Sequence, residues 1–220
     1  MKLTEEEKFR KLIDSRNKSN IRKIIERFTN EGKQNLLANQ FSDLLRLGFL
    51  NELQSTVLWC LQNEQQLEYA ILAAGKLSDI PLDMFAKFAE HENIIIKVSS
   101  LRAMEYRLRD KEPLQKLGNL FNDLLPKIKA GDNDSMWAGL CTIDGILEFE
   151  GKDSAIKILK VYYETLDPKM TFPLREAWER LKILGISMEH KIFENSKPMV
   201  PHTWLSRKNP FYVDTSSKRK

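Results

Sequence analysis

The chain has 220 residues, of which 42% are hydrophobic and 30% are charged, with only 9 glycines and 8 prolines. A chain of this length suits one domain or a short array of repeats, and its shortage of glycine and proline favours helices over a turn-rich β protein. Residues 1–8 contain no apolar segment, and no apolar run approaches the roughly 20 residues that span a bilayer, so we expect neither a signal peptide nor a membrane span.

The net charge of +4 is unevenly distributed along the chain. Residues 1–30 hold nine Lys/Arg against five Asp/Glu, and residues 187–220 hold seven against three. Residues 31–186 hold 19 against 23 and are therefore net acidic. A groove for nucleic acid needs the opposite arrangement, with a basic body.

Apolar residues recur at helical spacing over almost the whole stretch from Thr4 to Gly185. Thr4 and Glu7 form a capping-box pattern that opens the first helix, and a second helix begins near Ser19. Gly131, Gly151 and Gly185 lie where helix C-terminal caps are expected. The further predicted helices cover residues 33–47, 50–62, 64–78, 81–90, 93–109, 113–129, 134–149, 153–166 and 172–184.

Four of these helices share a mixture of small residues with Leu or Ile at helical spacing. They contain residues 67–77, 96–104, 136–147 and 174–181, at intervals of 28 to 42 residues. In two of them an apolar-basic pair precedes the small residues: Ile96-Lys97 is followed by Ser100, Ala103 and Met104, and Leu174-Arg175 by Ala177 and Leu181. Residues 73–77 match only the end of this pattern. In the third segment Trp137 stands where the pattern has its basic residue.

Over roughly residues 50–185 this pattern resembles that of degenerate HEAT-repeat proteins, of the armadillo/HEAT type. The resemblance implies an all-α fold, a right-handed α-solenoid of stacked antiparallel helix pairs. It divides the chain into basic N-terminal capping helices (1–30), HEAT-like repeats (31–186) and a C-terminal tail (187–220). It also implies a structural role for Lys97, whose place on an apolar stripe requires an acceptor for its ammonium group.

Residues 134–149 form an apolar segment that carries Asp144 and, one turn later, Glu148. Two carboxyl groups four residues apart share one helix face and could serve acid–base chemistry. However, neither a further acid nor an aromatic platform for a sugar lies near them in the sequence. In a stacked array of helix pairs, this helix face lines the concave groove. We therefore expect the two acids to pair with Arg102 or Arg180 of adjacent layers. The predicted groove residues are Arg102, Tyr106, Trp137, Asp144, Glu148 and Arg180.

No motif for a metal, a cofactor or a phosphate is present. The three histidines are not spaced as zinc ligands, and there is no glycine-rich phosphate loop. Cys60 and Cys141 are isolated in apolar surroundings, which is typical of buried free thiols in a reducing compartment. We therefore expect a cytoplasmic protein with no catalytic residue, cofactor or small-molecule ligand.

The C-terminal tail differs in composition from the helices. Three prolines between residues 198 and 210 exclude a long helix, yet Trp204, Phe211 and Tyr212 are too apolar for a solvated linker. These aromatic residues are tail anchors that either cover the open end of the array or bind a partner. We expect the first arrangement for residues 198–213 and a disordered basic end beyond them.

The function that these features favour is protein–protein interaction along the concave face, by a scaffold without enzymatic activity. One alternative is nucleic-acid binding through the basic ends, where Lys8, Lys11 and Arg22 are among eight cations of the first two helices. A less favoured one is a HEAT-like alkylpurine DNA glycosylase. Its residue types are offered by Trp137, Asp144, Arg175 and Trp178, although no motif aligns.

Overall fold

The computed structural model describes residues 3–38, 40–109 and 111–186, which form twelve α-helices and one 3-10 helix without any strand. The all-α prediction is confirmed. The α-helices are α1 (Glu5–Ser15), α2 (Lys18–Asn30), α3 (Asn35–Ala38), α4 (Phe41–Arg46), α5 (Leu50–Gln62), α6 (Leu67–Lys76), α7 (Asp83–Ala86), α8 (Ile94–Leu108), α9 (Lys111–Lys129), α10 (Asn133–Phe149), α11 (Lys152–Thr165) and α12 (Thr171–Ile183). The 3-10 helix spans Lys87–Glu90 and continues α7.

The predicted helix ends are present in the structure. The Thr4 hydroxyl accepts a hydrogen bond from the Glu7 amide at 3.1 Å, and the Thr4 amide donates to the Glu7 carboxylate at 2.8 Å. Gly131, Gly151 and Gly185 have φ values of 87°, 92° and 83°, which place them in the left-handed region where glycine carries no Cβ penalty. Each glycine therefore ends a helix in a left-handed backbone conformation that is sterically unfavourable for residues with a Cβ.

Three predicted helices differ from the observed ones, and the helix predicted over 81–90 is observed as the short α7 followed by the 3-10 helix Lys87–Glu90. The helix predicted over 33–47 is divided into α3 and α4, and Gln40 between them has φ −111° and ψ 0° without a side-chain cap. The helix predicted over 64–78 is shorter because Glu64 and Gln66 are both left-handed, so that α6 begins only at Leu67. Periodicity alone cannot detect such turns, since the apolar spacing continues across them.

The four small-residue segments pack next to one another. Helix α6 contacts α8, α8 contacts α10, and α10 contacts α12, while each is also packed on the helix that precedes it in the chain. Small residues permit these approaches. A Cβ on Gly75 would lie 2.8 Å from the Cα of Ala103, and one on Gly139 would lie 3.0 Å from the Tyr162 ring.

The core consists of two clusters of buried apolar side chains that meet at α8. The first joins α1 and α2, through residues such as Phe9 and Phe28, to α5, α6 and α7. The second extends from Val98 through Phe121 and Ile143 to α12. Ala103 belongs to the first cluster and Val98 to the second, so the two faces of α8 join them.

Several smaller predictions can be placed on this fold. Lys97 has the acceptor that its position requires, because its Nζ lies 2.9 Å from the Glu90 carboxylate. None of the described helices combines the length and the apolar character needed to cross a bilayer. The tail anchors Trp204, Phe211 and Tyr212, with the whole predicted tail of 187–220, lie outside the described residues.

Candidate functional site: a polar face across four helices

One continuous set of charged and aromatic side chains crosses α6, α8, α10 and α12. We call this set the polar face. It includes all six residues predicted for the groove, and the structure adds others to them. Its members are Glu68, Lys76, Arg102, Tyr106, Arg109, Trp137, Cys141, Asp144, Glu148, Phe149, Glu176 and Arg180.

Arg180 forms the most buried part of the polar face. Its side chain is only 1% exposed, and its guanidinium lies 2.5 Å from the Glu176 carboxylate and 3.4 Å from that of Asp144. Burial opposes the charged form, but Asp144 and Glu176 outweigh it and raise the pKa of Arg180 above its usual value. The predicted pairing of Asp144 with an arginine is therefore present, between α10 and α12, and Glu176 completes it.

Arg102 lies between α8 and α10 and, like Arg180, pairs with an acid of α10. Its guanidinium lies 3.8 Å from the Glu148 carboxylate, and the two side chains are 6% and 11% exposed. Gly145 makes room for it, because a Cβ there would lie 3.1 Å from the Arg102 Cγ. Burial raises the pKa of Glu148, while Arg102 and Lys76 act in the opposite direction. The predicted pairing of Glu148 with an arginine is thus also present, between α10 and α8.

Lys76 and Arg109 converge on one aromatic ring. The Lys76 ammonium and the Arg109 guanidinium each lie 5.2 Å from the centre of the Tyr106 ring, within the range of cation–π attraction. The centres of the Phe149 and Tyr106 rings lie 6.4 Å apart in an edge-to-face arrangement. Burial lowers the pKa of Lys76 to about 8, although Glu148 partly opposes this shift.

Trp137 is held by a residue that the sequence analysis did not single out. The Glu68 carboxylate accepts a hydrogen bond from the Trp137 side chain, and burial raises the pKa of Glu68. Cys141 lies one turn beyond Trp137, and burial raises its pKa to about 12. Its thiol is therefore protonated near neutral pH and is not an activated nucleophile.

Arg107 holds the end of α6 next to the polar face. The sequence analysis did not single out this residue. Its guanidinium donates to the backbone carbonyls of Ala74 at 2.7 Å and Ile80 at 2.9 Å, and also to those of Ser78 and Leu77. These carbonyls belong to the end of α6 and the turn after it, whose acceptors no longer have helical partners. One side chain of α8 thus fixes the C-terminal end of α6, where Lys76 lies.

The residues named for the catalytic alternatives are engaged in contacts of other kinds. Asp144 and Glu148 are each ion-paired with a buried arginine. Two further residues were named for the glycosylase alternative. Arg175 forms an ion pair with Glu179 at 3.1 Å, and the Lys182 ammonium lies 4.9 Å from the centre of the Trp178 ring. No group of three potential metal ligands occurs within residues 3–38, 40–109 and 111–186.

The basic character of α1 and α2 is partly neutralised. Arg22 pairs with Glu52 at 2.7 Å, while Arg27 and Lys33 both reach Glu5. Of the eight cations of the first two helices, Arg22 is therefore paired with an acid of α5 and Arg27 with an acid of α1.

The described helices also form a second surface feature, apart from the polar face. An open groove of about 390 Å³ lies between α9 and α11 and is lined by Leu114, Asn119, Asn122, Ile158 and Val161, among others. Unlike the polar face, it does not extend to α6, α8 or α12.

No family model, curated protein or solved structure matches this chain.

Proposed function

We propose that this protein is a non-enzymatic interaction module that binds another protein along the polar face. The observation that carries the proposal is the continuity of that face. Charged and aromatic side chains from four helices far apart in sequence form one surface, joined laterally by the Arg102–Glu148 and Asp144–Arg180 pairs.

The same contacts support the finer architecture that the sequence resemblance implies. Contacts in the order α6, α8, α10 and α12, each helix backed by the one before it, are what a HEAT-like right-handed solenoid requires. In this arrangement the polar face is the concave surface. Solenoids use such extended concave surfaces for binding, and the proposal assigns that use to this chain.

The chemistry of the polar face suits a protein partner. Aromatic residues and arginine are enriched in the centres of protein interfaces, and the accessible Tyr106, Trp137 and Arg109 supply them here, whereas Arg102 and Arg180 are buried. Acidic side chains alternate with these cations, which opposes the phosphate backbone of a nucleic acid. The two cysteines are free thiols, which fits a reducing compartment such as the cytoplasm.

A pair of charge-swap variants tests this proposal. Arg102→Glu combined with Glu148→Arg retains an ion pair across α8 and α10 but exchanges the positions of its positive and negative groups, which are largely buried. Arg22→Glu with Glu52→Arg makes the same exchange in the pair between α2 and α5. Both variants and the wild type are used to capture partners from the native cell, after their melting temperatures have been compared.

We expect the Arg102/Glu148 swap to lose partners that the wild type retains, while the Arg22/Glu52 swap keeps them. Equal retention by both variants would show that the polar face is not the binding surface. Loss only from the Arg22/Glu52 swap would instead move the interaction to the basic N-terminal end.

A further inference from the structure

One side of α12 is covered in its middle and open at both ends. Phe172, Glu176, Glu179 and Ile183 follow one another at intervals of four, three and four residues and therefore share that side. Their exposed fractions are 56%, 6%, 6% and 46%, in this order. Two acids are thus withdrawn from solvent between two exposed apolar residues, which is the reverse of the order expected on an uncovered surface.

The described neighbours of α12 do not account for the burial of Glu179. The helix packs on α10 and α11, and its residues Ala177 and Leu181 belong to the second core cluster. Glu179 lies two residues from each of them and therefore points about 200° away, to the opposite side of the helix. Its ion-pair partner Arg175 belongs to α12 as well and is itself mostly buried. A group other than α10 and α11 therefore lies over Glu179.

The burial continues from α12 across the polar face. The side chains of Arg102, Asp144 and Glu148 are all largely withdrawn from solvent. Between residues 135 and 149 of α10, no residue is exposed. On a surface covered only by water, long charged side chains extend their ends into the solvent. The covered band therefore extends from the middle of α12 over α10 towards α8.

This burial is a property of the single chain, so the chain itself has to supply the cover. Nearly all of the chain outside the described ranges is residues 187–220, which follow α12 directly. The Ile186 amide donates to the Leu181 carbonyl at 2.9 Å and Gly185 is left-handed, so the chain turns at the end of α12. Crossing from α12 to α8 takes two helix spacings of about 8–10 Å, or roughly six extended residues. Residues 187–220 are several times longer than this distance requires.

We propose that residues 196–213 fold back across the polar face, over α12 and α10, and that a protein partner has to displace them. The displacement rests on the proposed function, whereas the fold-back does not. Three prolines in this segment favour an extended backbone, which fits a groove between helices. Trp204, Phe211 and Tyr212 supply the apolar surface that holds the segment in place. The polar face is thus a binding surface that the free protein covers with its own tail.

A benzophenone amino acid in place of Trp204 tests the fold-back in the full-length protein. This exchange replaces one aromatic side chain by another and leaves the sequence of the described helices unaltered. The matched control carries the same group at Ser217, beyond the proposed segment. Each purified protein is irradiated in dilute solution, and its adducts are mapped by proteolysis and mass spectrometry.

We expect the group at position 204 to attach to α10 or α12 of the same chain, with a yield several times that from position 217. Four results would overturn the fold-back. They are attachment only to the groove between α9 and α11, attachment to a second copy of the chain, equal yields from the two positions, and no adduct.

A full-length variant with Trp204, Phe211 and Tyr212 all changed to alanine tests the displacement. If the tail covers the polar face about nine-tenths of the time, it weakens partner binding about tenfold. We therefore expect the triple variant to capture partners of the polar face about tenfold more tightly than the wild type. A variant with residues 215–217 changed to alanine should behave as the wild type. Unchanged or weaker capture by the triple variant would overturn the displacement.

Failure of this inference and failure of the proposed function give different results. If the Arg102/Glu148 swap loses a partner while position 204 gives no adduct, the polar face remains the binding surface and the fold-back is wrong. If position 204 attaches to α10 or α12 while no partner depends on the swap, the fold-back stands, and the proposed function is wrong together with the displacement.

Discussion

Gly75 of α6 and Ala103 of α8 bring two helix backbones together, because a Cβ on Gly75 would lie only 2.8 Å from the Cα of Ala103. The atom in the way belongs to the backbone and cannot turn aside as a side chain can. This contact lies beside Lys76 and thus sets the spacing of the α6–α8 end of the polar face.

Gly75→Ala should therefore destabilise the protein by about 1–3 kcal/mol, the usual cost of overpacking a filled interior. Gly118→Ala is the matched control. Gly118 also lies within a helix, but a Cβ there would meet nothing within 4 Å. That substitution should stabilise the protein by roughly 0.5–1 kcal/mol through the helix propensity of alanine. Denaturant unfolding measures both, and equal effects would show that the approach of α6 to α8 is not tight.

Arg180 should be far more important for stability than an arginine in an exposed pair. Arg180→Met removes the guanidinium but keeps most of the side-chain volume, and leaves Asp144 and Glu176 without their shared cation. We expect the free energy of unfolding to fall by about 3–5 kcal/mol, as for other broken buried pairs. Arg22→Met, in a pair whose arginine is 55% exposed, should cost at most about 1 kcal/mol. If Arg180→Met lowered the free energy of unfolding by less than about 1 kcal/mol, the ion pairs of Arg180 would be solvated like that of Arg22.

Arg107 is expected to stabilise the end of α6 through its guanidinium geometry and not through charge alone. Arg107→Gln removes most of its contacts with the carbonyls of Ala74, Ser78 and Ile80 and should cost at least about 2 kcal/mol, because charged hydrogen bonds contribute about 1.5–3 kcal/mol each. Arg107→Lys retains the charge but cannot reach several carbonyls at once, so it should recover only part of this loss.

Amide hydrogen exchange locates the Arg107 effect. In Arg107→Gln the amides of Leu77 and Ile80, which donate to Ala74 and Leu77, should exchange faster. Complete rescue by lysine, or unchanged exchange at these two amides, would contradict the proposed clamp.

The depressed pKa of Lys76 predicts a specific pH dependence. Its pKa is about 8 in the folded protein and 10.5 ordinarily, so the unfolded chain binds more protons than the folded one between these values. The contribution of Lys76 to the free energy of unfolding must therefore rise as pH increases from about 8 to about 10.5. Below pH 8 the lysine is charged in both states, and its contribution is constant.

Lys76→Met isolates this contribution from groups that titrate in the same range. Cys60, whose pKa burial raises to about 11, acts in the opposite direction in both proteins. We expect the stability of the wild type relative to Lys76→Met to increase between pH 8 and pH 10 in denaturant titrations. A difference that stays constant or falls with pH would show that Lys76 is well solvated.

The sequence is most informative where a local pattern determines the structure. The Thr4–Glu7 capping box and the left-handed glycines at 131, 151 and 185 mark helix ends through interactions within a few residues. Because small residues recur in four helices, the sequence also predicts that Asp144 and Glu148 meet arginines of adjacent layers.

Other features depend on contacts that no local pattern contains. Gln66 adopts a left-handed conformation without being glycine or asparagine, and therefore shortens α6 unexpectedly. Arg107 has no sequence feature that separates it from exposed arginines, since its carbonyl acceptors lie about 30 residues earlier. Glu68 and Glu176 likewise join the polar face only through the packing of α6 on α8 and α10 on α12.

Site-specific photo-crosslinking tests the partner-binding role of the polar face most directly. A benzophenone amino acid is placed at Trp137, within the polar face, or at Val161, an exposed residue of the groove between α9 and α11. Each full-length variant is irradiated in the native cell and its adducts are identified. We predict a discrete protein adduct from position 137 and none from position 161. An adduct from position 161 alone would contradict the assignment of partner binding to the polar face.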